Sequence, residues 1–249
     1  MQMEHDRQLI KEFIDRQVKE RNSNGVVLGL SGGLDSSVAA KLAVEALGSK
    51  HVLGLIMPDL YITPRSDTRD AESLATILKI EHHVIEIRKI KQEFLRNIPQ
   101  SRYVIGNLAS RIRMCLLYYY AGLMNKLVLG TTDKSELMLG YYTKYGDSAA
   151  DLFPLADLYK TEVRALAKYL HIPCHIINKK SSPRLWKNHL AEKEIGLSYQ
   201  LIDDILRQIE NRSLDDTRLK KPAISKILYL MEKNKHKLES RPICNLRLC

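Results

Sequence analysis

Gly25-Val26-Val27-Leu28-Gly29-Leu30-Ser31-Gly32-Gly33-Leu34-Asp35-Ser36 decides the fold, because it carries an apolar β-type run into a helical one through two glycines. The residues before Ser31 are apolar without interruption, as in a strand covered on both faces. Those that follow, through Ala43, recur at helical spacing. Gly32 and Gly33 let the backbone turn tightly and lie close to a ligand. Successive N–H groups opening onto a helix N-terminus form an anion site. The loop lacks the G-x-x-x-x-G-K-[ST] spacing of a P-loop and its lysine. An acid stands inside it instead. Asp35 would repel bare phosphate, but it makes chemical sense where a divalent cation bridges a carboxylate to phosphate oxygens. A glycine-rich hairpin or a plain strand–helix turn gives no reason for that acid.

The 249 residues, 45% of them hydrophobic, suffice for one sizeable core, and a single domain over 1–249 is expected. No apolar run approaches a membrane span, and Met1–Ile10 is too polar for a secretory signal, so a cytoplasmic protein without a membrane partner is expected. Cys115, Cys174, Cys244 and Cys249 form no C-x-x-C pair and indicate neither zinc nor a disulfide framework. The formal charge of +10 favours polyanionic ligands. Much of it lies late, in Lys220, Lys221, Lys226, Lys233, Lys235, Lys237 and Arg241, where a solvated basic helix is the plain explanation. No nucleic-acid module is recognisable, so phosphate-rich small molecules are expected rather than nucleic acid.

Apolar periodicity predicts an N-terminal helix over His5–Asn22, then the first strand and a helix ending at Gly48. A second strand is expected over His51–Met57 and a helix from Ser66 and Asp67, as caps, to Leu78. A third strand spans His82–Ile87. A long helix over about Val104–Asn125 turns Leu108, Ile112, Cys115, Leu116 and Tyr119 inward. A fourth strand, Lys126–Gly130, leads into the polar segment Thr131–Glu136, and helices over Lys160–Leu170, Ile195–Gln208 and Ala223–Lys233 follow. Alternating strands and helices imply an α/β fold with a doubly wound parallel sheet and extra C-terminal helices. Ligands of such sheets bind beyond the carboxyl ends of the strands, which places Ser31–Ser36 and Thr131–Glu136 at one site.

The strand–S-G-G-x-D-S–helix context resembles the pyrophosphate loop of the N-type ATP pyrophosphatases. Four further stretches follow in order: Asn107-Leu108-Ala109-Ser110-Arg111-Ile112-Arg113, Gly130-Thr131-Thr132-Asp133-Lys134-Ser135-Glu136, Gly140-Tyr141-Tyr142-Thr143-Lys144, and Pro154-Leu155-Ala156-Asp157-Leu158-Tyr159-Lys160-Thr161. Together they closely resemble NAD synthetase, from about Gly25 to Tyr199 and again near His236-Lys237. The resemblance implies an adenine nucleotide alpha hydrolase-like, Rossmann-like core over about 25–200. It implies amidation of deamido-NAD (nicotinic acid adenine dinucleotide) with ammonia to NAD. ATP would activate the nicotinate carboxylate as an acyl-adenylate, releasing AMP and pyrophosphate.

By the same resemblance, Gly29, Leu30, Ser31, Gly32, Gly33, Leu34, Asp35, Ser36, Met57, Thr131, Lys160 and Ser182 contact ATP. Asp35 and Glu136 are the catalytic pair and hold Mg²⁺, while Arg111, Lys144, Asp151, His236 and Lys237 contact deamido-NAD. His236 and Lys237 would come from a partner subunit or a moving tail of a homodimer. On its own, Glu136 reads rather as an exposed helix glutamate, Arg111 as a surface helix charge, Lys144 and Lys160 as ordinary solvated lysines, and Asp151 equally as a turn residue. No stretch before Gly25 offers a cysteine nucleophile, so free ammonia is expected as the nitrogen donor, and any separate glutaminase is unknown.

Two departures stand out. Ser148-Ala149 replace a glycine pair of the family, and Asn188-His189-Leu190-Ala191-Glu192 replace its G-Q-x-D-E, so the role of that acid is lost or passes to a neighbour such as Glu192. The same loop occurs in GMP synthetase, asparagine synthetase and tRNA-thiolating enzymes, so amidation or thiolation of another substrate is the alternative. A thiolase usually carries paired cysteines, which are missing here. A nucleotide- or RNA-binding module without chemistry would have lost an acid such as Asp35 or Glu136, and both are present.

Overall fold

The computed structural model of the chain describes residues 2–211 and 221–239. Lys220, Arg241, Cys244 and Cys249 lie outside the described residues. Four strands, β1 (Val26–Gly29), β2 (Val52–Ile56), β3 (Glu81–Val84) and β4 (Leu127–Val128), form a parallel sheet in the order β3-β2-β1-β4. Val26 lies opposite Val52 on one side and Leu127 on the other. The uninterrupted apolar run of β1 follows from its central place. Val26 and Leu28 pack into the core with Ile14, Val38 and Leu42, whereas Val27 faces Ile112 and Val128 on the other side.

Helices α1 (Gln2–Glu20), α2 (Leu34–Leu47) and α3 (Arg65–Leu78) cover the first face, and α4 (Arg88–Leu95) and α5 (Arg102–Met124) the second. A short α6 (Lys134–Leu139) follows β4, and α7 (Lys160–Tyr169) and α8 (Cys174–Ile177) return to the first face. Beyond the sheet, α9 (Ala191–Ile195), α10 (Tyr199–Glu210) and α11 (Lys221–Asn234) close with α6 around Leu139, Ile202, Ile205 and Ile227. Each such fully buried Leu or Ile contributes about 1.5–3 kcal/mol. This second cluster holds the C-terminal helices against the end of the sheet. The chain runs from β1 through β2 to β3 on one side and then crosses from β3 to β4 on the other side of β1, so the crevice between the ends of β1 and β4 is the topological switch point.

The doubly wound parallel sheet is as the sequence implies, and the differences are local. Ser66 and Asp67 do not cap α3. The helix begins at Arg65 after Pro64, whose φ of −60° presets the turn, and Asp67 is drawn inward by two cations. On α5 the small residues Gly106, Ala109 and Ser110 face the interior with Ile112, while Cys115 and Tyr119 are exposed. Of the expected stripe, Ile112 is buried and Leu108 and Leu116 pack against the same cluster, whereas Gly106 lies against Leu185 and Ser110 bonds Asp147. β3 ends at Val84, although the Ile85 N–H still donates to Ile56 O at 2.8 Å. Gly196, with φ of 74°, divides the expected helix from Ile195 into α9 and α10, the latter capped by Ser198.

Candidate active site

The Ser31–Ser36 loop leaves β1 at the switch point. Its turn is fixed by Gly32 at φ of +70°, where a Cβ would stand 2.1 Å from Asp67 O. Ser31 Oγ and Ser36 Oγ lie 2.9 Å apart, Ser31 Oγ accepts from Gly33 N at 3.2 Å, and Ser37 Oγ donates to Gly33 O at 2.7 Å. No side chain caps the N-terminus of α2, so its first N–H groups face outward for an anion. Lys179 braces the loop, donating to Gly32 O at 2.7 Å and pairing with Asp67 at 3.0 Å, and Arg184 pairs with Asp67 at 2.8 Å.

Across the crevice, Asp133 caps α6. Its carboxylate accepts from Glu136 N at 2.8 Å, while Glu136 accepts from Asp133 N at 3.4 Å. This reciprocal box turns Glu136 toward Asp35. Oxygens of Asp35, Asp133 and Glu136 come within 4.8 Å of one another. Lys160, the first residue of α7, puts its ammonium 2.9 Å from Asp35, 2.6 Å from Asp133 and 2.9 Å from Glu136. Asp203 secures both helix starts, accepting from Ser135 Oγ at 2.5 Å and from Thr161 N at 2.8 Å.

The charge in this cradle is unbalanced. Burial, with Asp35 adding to it and Lys160 opposing it, pushes the Asp133 carboxyl up to about 6. Burial and then the Asp133 charge push Glu136 up to about 8. Burial disfavours the Lys160 ammonium, but the three carboxylates overcome it and hold the proton well above the usual lysine range. Asp35 Oδ1 is buried and accepts no hydrogen bond. An all-oxygen set with excess negative charge and a spare buried acceptor fits a hard divalent cation.

A cleft of about 990 Å³ runs from this point along the end of the sheet. At one edge Met57 O accepts from Arg113 Nε at 3.0 Å, and burial lowers the Arg113 pKa. Along the other wall Arg111 donates to Lys144 O at 3.2 Å, and Lys144 Nζ donates to His236 O at 2.7 Å. Lys237 Nζ donates to Gly140 O at 2.6 Å and Tyr142 O at 2.9 Å, so His236 and Lys237 reach the cleft of their own chain. Burial lowers the Lys237 pKa.

Pro183, Arg184 and Leu185 line the cleft. Leu185 sits against Gly106, where a Cβ would come within 2.5 Å of Leu185 Cβ, and Trp186 stacks on His189 with ring centres 3.5 Å apart. Ser182 Oγ donates to His189 O. The acid on the cleft here is Glu194, which pairs with His189 Nε2 at 2.6 Å and accepts from Tyr141 OH at 2.5 Å. Glu192 lies outside the cleft lining, and its carboxylate accepts from Tyr199 N at 2.8 Å.

The crevice thus brings together Gly29–Asp35, Met57, Thr131, Glu136, Ser182, Arg111, Lys144, His236 and Lys237, with Lys160 reaching in through its ammonium, while Ser36 is buried behind the loop. Asp151 is elsewhere. Its carboxylate accepts from Val128 N at 2.7 Å and Tyr118 OH at 3.4 Å, an exposed position on the flank of β4. Asp133 escaped the sequence reading as a site residue, although Asp133-x-x-Glu136 is a capping-box spacing.

The family model for NAD synthase matches residues 7–241. The NH(3)-dependent NAD(+) synthetase of Methanosarcina acetivorans is 43% identical over 255 residues, covering 99% of this chain and 100% of that protein. The enzyme of the same name from Archaeoglobus fulgidus is 46% identical over 240 residues, covering 96% and 95%. Among solved structures, an NMN synthetase from Francisella tularensis superposes with a TM-score of 0.89 at 35% identity, covering 98% of this chain and 99% of that one. An NH3-dependent NAD synthetase from Campylobacter jejuni gives a TM-score of 0.86 at 36% identity, covering 98% and 100%.

Proposed function

The chain belongs to the NAD synthase family, and we propose how its own residues carry out the family's reaction. The protein is a ligase that amidates deamido-NAD with ammonia, using ATP. A carboxylate resists attack by ammonia, so its oxygen first takes the adenylyl group of ATP and pyrophosphate departs. Ammonia then adds to the acyl carbon, a proton is lost, and AMP leaves. Holding the reactants in line and stabilising charge on the leaving group are the enzyme's tasks.

The N–H groups of Ser31–Ser36 receive the pyrophosphate. Gly29, Leu30 and Met57 border the adenine, and Thr131, Lys160 and Ser182 complete the ATP contacts. Asp35, Glu136 and Asp133 hold Mg²⁺, which when bound supplies neutralising charge at the phosphate oxygens. Arg111, Lys144, His236 and Lys237 line the path of deamido-NAD. The observation that carries the proposal is the convergence of an uncapped anion loop and a three-carboxylate cradle at one switch point. We read 1–249 as one domain acting in the cytoplasm.

Product analysis tests the proposal. With ATP, deamido-NAD, ammonium and Mg²⁺, the expected products are AMP, pyrophosphate and NAD in equal amounts; ADP and orthophosphate would refute it. Glutamine should not replace ammonium for the pure chain. Because one structural neighbour is an NMN synthetase, nicotinate mononucleotide belongs in the same assay. Preference for it over deamido-NAD would move the substrate assignment.

The outer face of α5 exposes Tyr119 at 65% and Leu123 at 67%, beside Tyr118 and Asp151. Such a patch suits a second copy of the chain. A homodimer through this face would carry Asp151 to an interface. Sedimentation at micromolar concentration should give a dimer, and Leu123→Glu should give a monomer. A fully active wild-type monomer would remove the interface from the proposal.

A further inference from the structure

Lys160 stands where a metal would stand. Its backbone N–H is tied to Ser135 Oγ at 2.9 Å and its side chain is 1% exposed. Its ammonium contacts the same three acids, at 2.6–2.9 Å, that form the candidate cation cradle. A magnesium ion bonds oxygen at about 2.0–2.1 Å. A dication bound to those oxygens would lie a few ångströms from an unmoved ammonium, and the two would repel.

The cradle also fixes the direction in which Lys160 can yield. Asp133 is fully buried behind it and the Tyr199 ring lies 5.2 Å from Nζ. Asp35 and Glu136 are the partly open members, 23% and 22% exposed, and both line the cleft. The long flexible stem lets Nζ leave only on that side. That is the side on which the N-terminus of α2 and the Ser31–Ser36 amides face the cleft.

We propose that Lys160 is a resident counter-cation: Mg²⁺ displaces it from Asp35, Asp133 and Glu136, and the ammonium passes to the phosphates of the incoming ATP. The inference rests on the metal assignment made above. Metal alone then binds weakly, because it would strand a buried ammonium without a partner. Nucleotide supplies the new partner, so metal and ATP load together, and by linkage each raises the affinity for the other.

The test titrates Mn²⁺ alone, read as free ion by electron paramagnetic resonance, against wild type, Lys160→Met, Lys160→Gln and Lys160→Arg. With the ammonium gone, Lys160→Met and Lys160→Gln should bind Mn²⁺ about tenfold or more tightly than wild type. Lys160→Arg, which keeps the charge, should not. A neutral variant that is unfolded without metal is followed by its thermal melting against Mn²⁺ concentration, which reports the same affinity. Equal affinities in wild type and both neutral variants would overturn the proposal, as would neutral variants that Mn²⁺ fails to stabilise. Absence of Mn²⁺ binding in every chain would instead remove the metal assignment itself.

Discussion

Asp35→Asn should lower turnover on the order of 10²–10³-fold, the usual cost of removing one preorganised charge-stabilising group. The fold should survive. Asn keeps the shape of the side chain, the loop is held by Gly33, Ser31, Ser37 and Lys179, and Lys160 retains Asp133 and Glu136 as partners. Glu136→Gln should cost a similar factor, since the amide still accepts from Asp133 N and the cap on α6 persists. The informative chain is the double variant. If both acids serve one cation, the second substitution removes little that the first has left, and the double loss should approach the larger single loss. Mn²⁺ binding should fall with turnover in all three. Simple multiplication of the two losses would argue for separate roles, and full activity of Glu136→Gln would return that residue to an ordinary helix acid.

Gly32→Ala should be nearly as damaging, for a different reason. An added Cβ meets Asp67 O at 2.1 Å and Asp67 C at 3.0 Å, both backbone atoms that cannot swing aside. Either α3 or the loop must move. A displacement near 1 Å at the pyrophosphate amides costs roughly 10²-fold in rate, and left-handed backbone costs an alanine about 1 kcal/mol of stability. Gly48→Ala separates the two effects, because Gly48 has φ of +83° yet nothing within 4 Å of the added Cβ. It should lose stability and keep its rate. Kinetics and thermal melts of the two chains decide whether collision or backbone strain disables the loop; equal rates would absolve the collision.

Much of this architecture is legible in the sequence because the signals are long or chemically odd. The apolar run of β1 and the acid inside a glycine loop each admit few explanations, and together they place one wall of the site. Alternation of strand and helix then places the other wall at the end of β4. The short pieces were not legible. α6 has six residues, too few for a periodic stripe, and its sign is the capping box alone. α9 has five residues and hides in front of Gly196. Ser66 and Asp67 look like caps locally, but Lys179 and Arg184, distant in sequence, claim the Asp67 carboxylate. Lys160 reads as a solvated lysine until the chain closes, since its partners are fixed by packing and 125 positions separate it from Asp35. Tail placement is of the same kind, set by Ile227 within the C-terminal cluster and by the bonds of His236 and Lys237 to residues about a hundred positions earlier.

The Asp203 carboxylate has a bearing on synthesis. It ties Ser135 and Thr161, and through them the starts of α6 and α7, to a helix made near the end of the chain. A nascent chain that has emerged only through α7 owns the glycine loop and all three cradle acids. It still lacks the residue that ties the start of α6, which bears Asp133 and Glu136, to the start of α7, which bears Lys160. ATP would therefore find little to grip on the ribosome-bound intermediate, and its binding free energy would accrue to the finished protein alone.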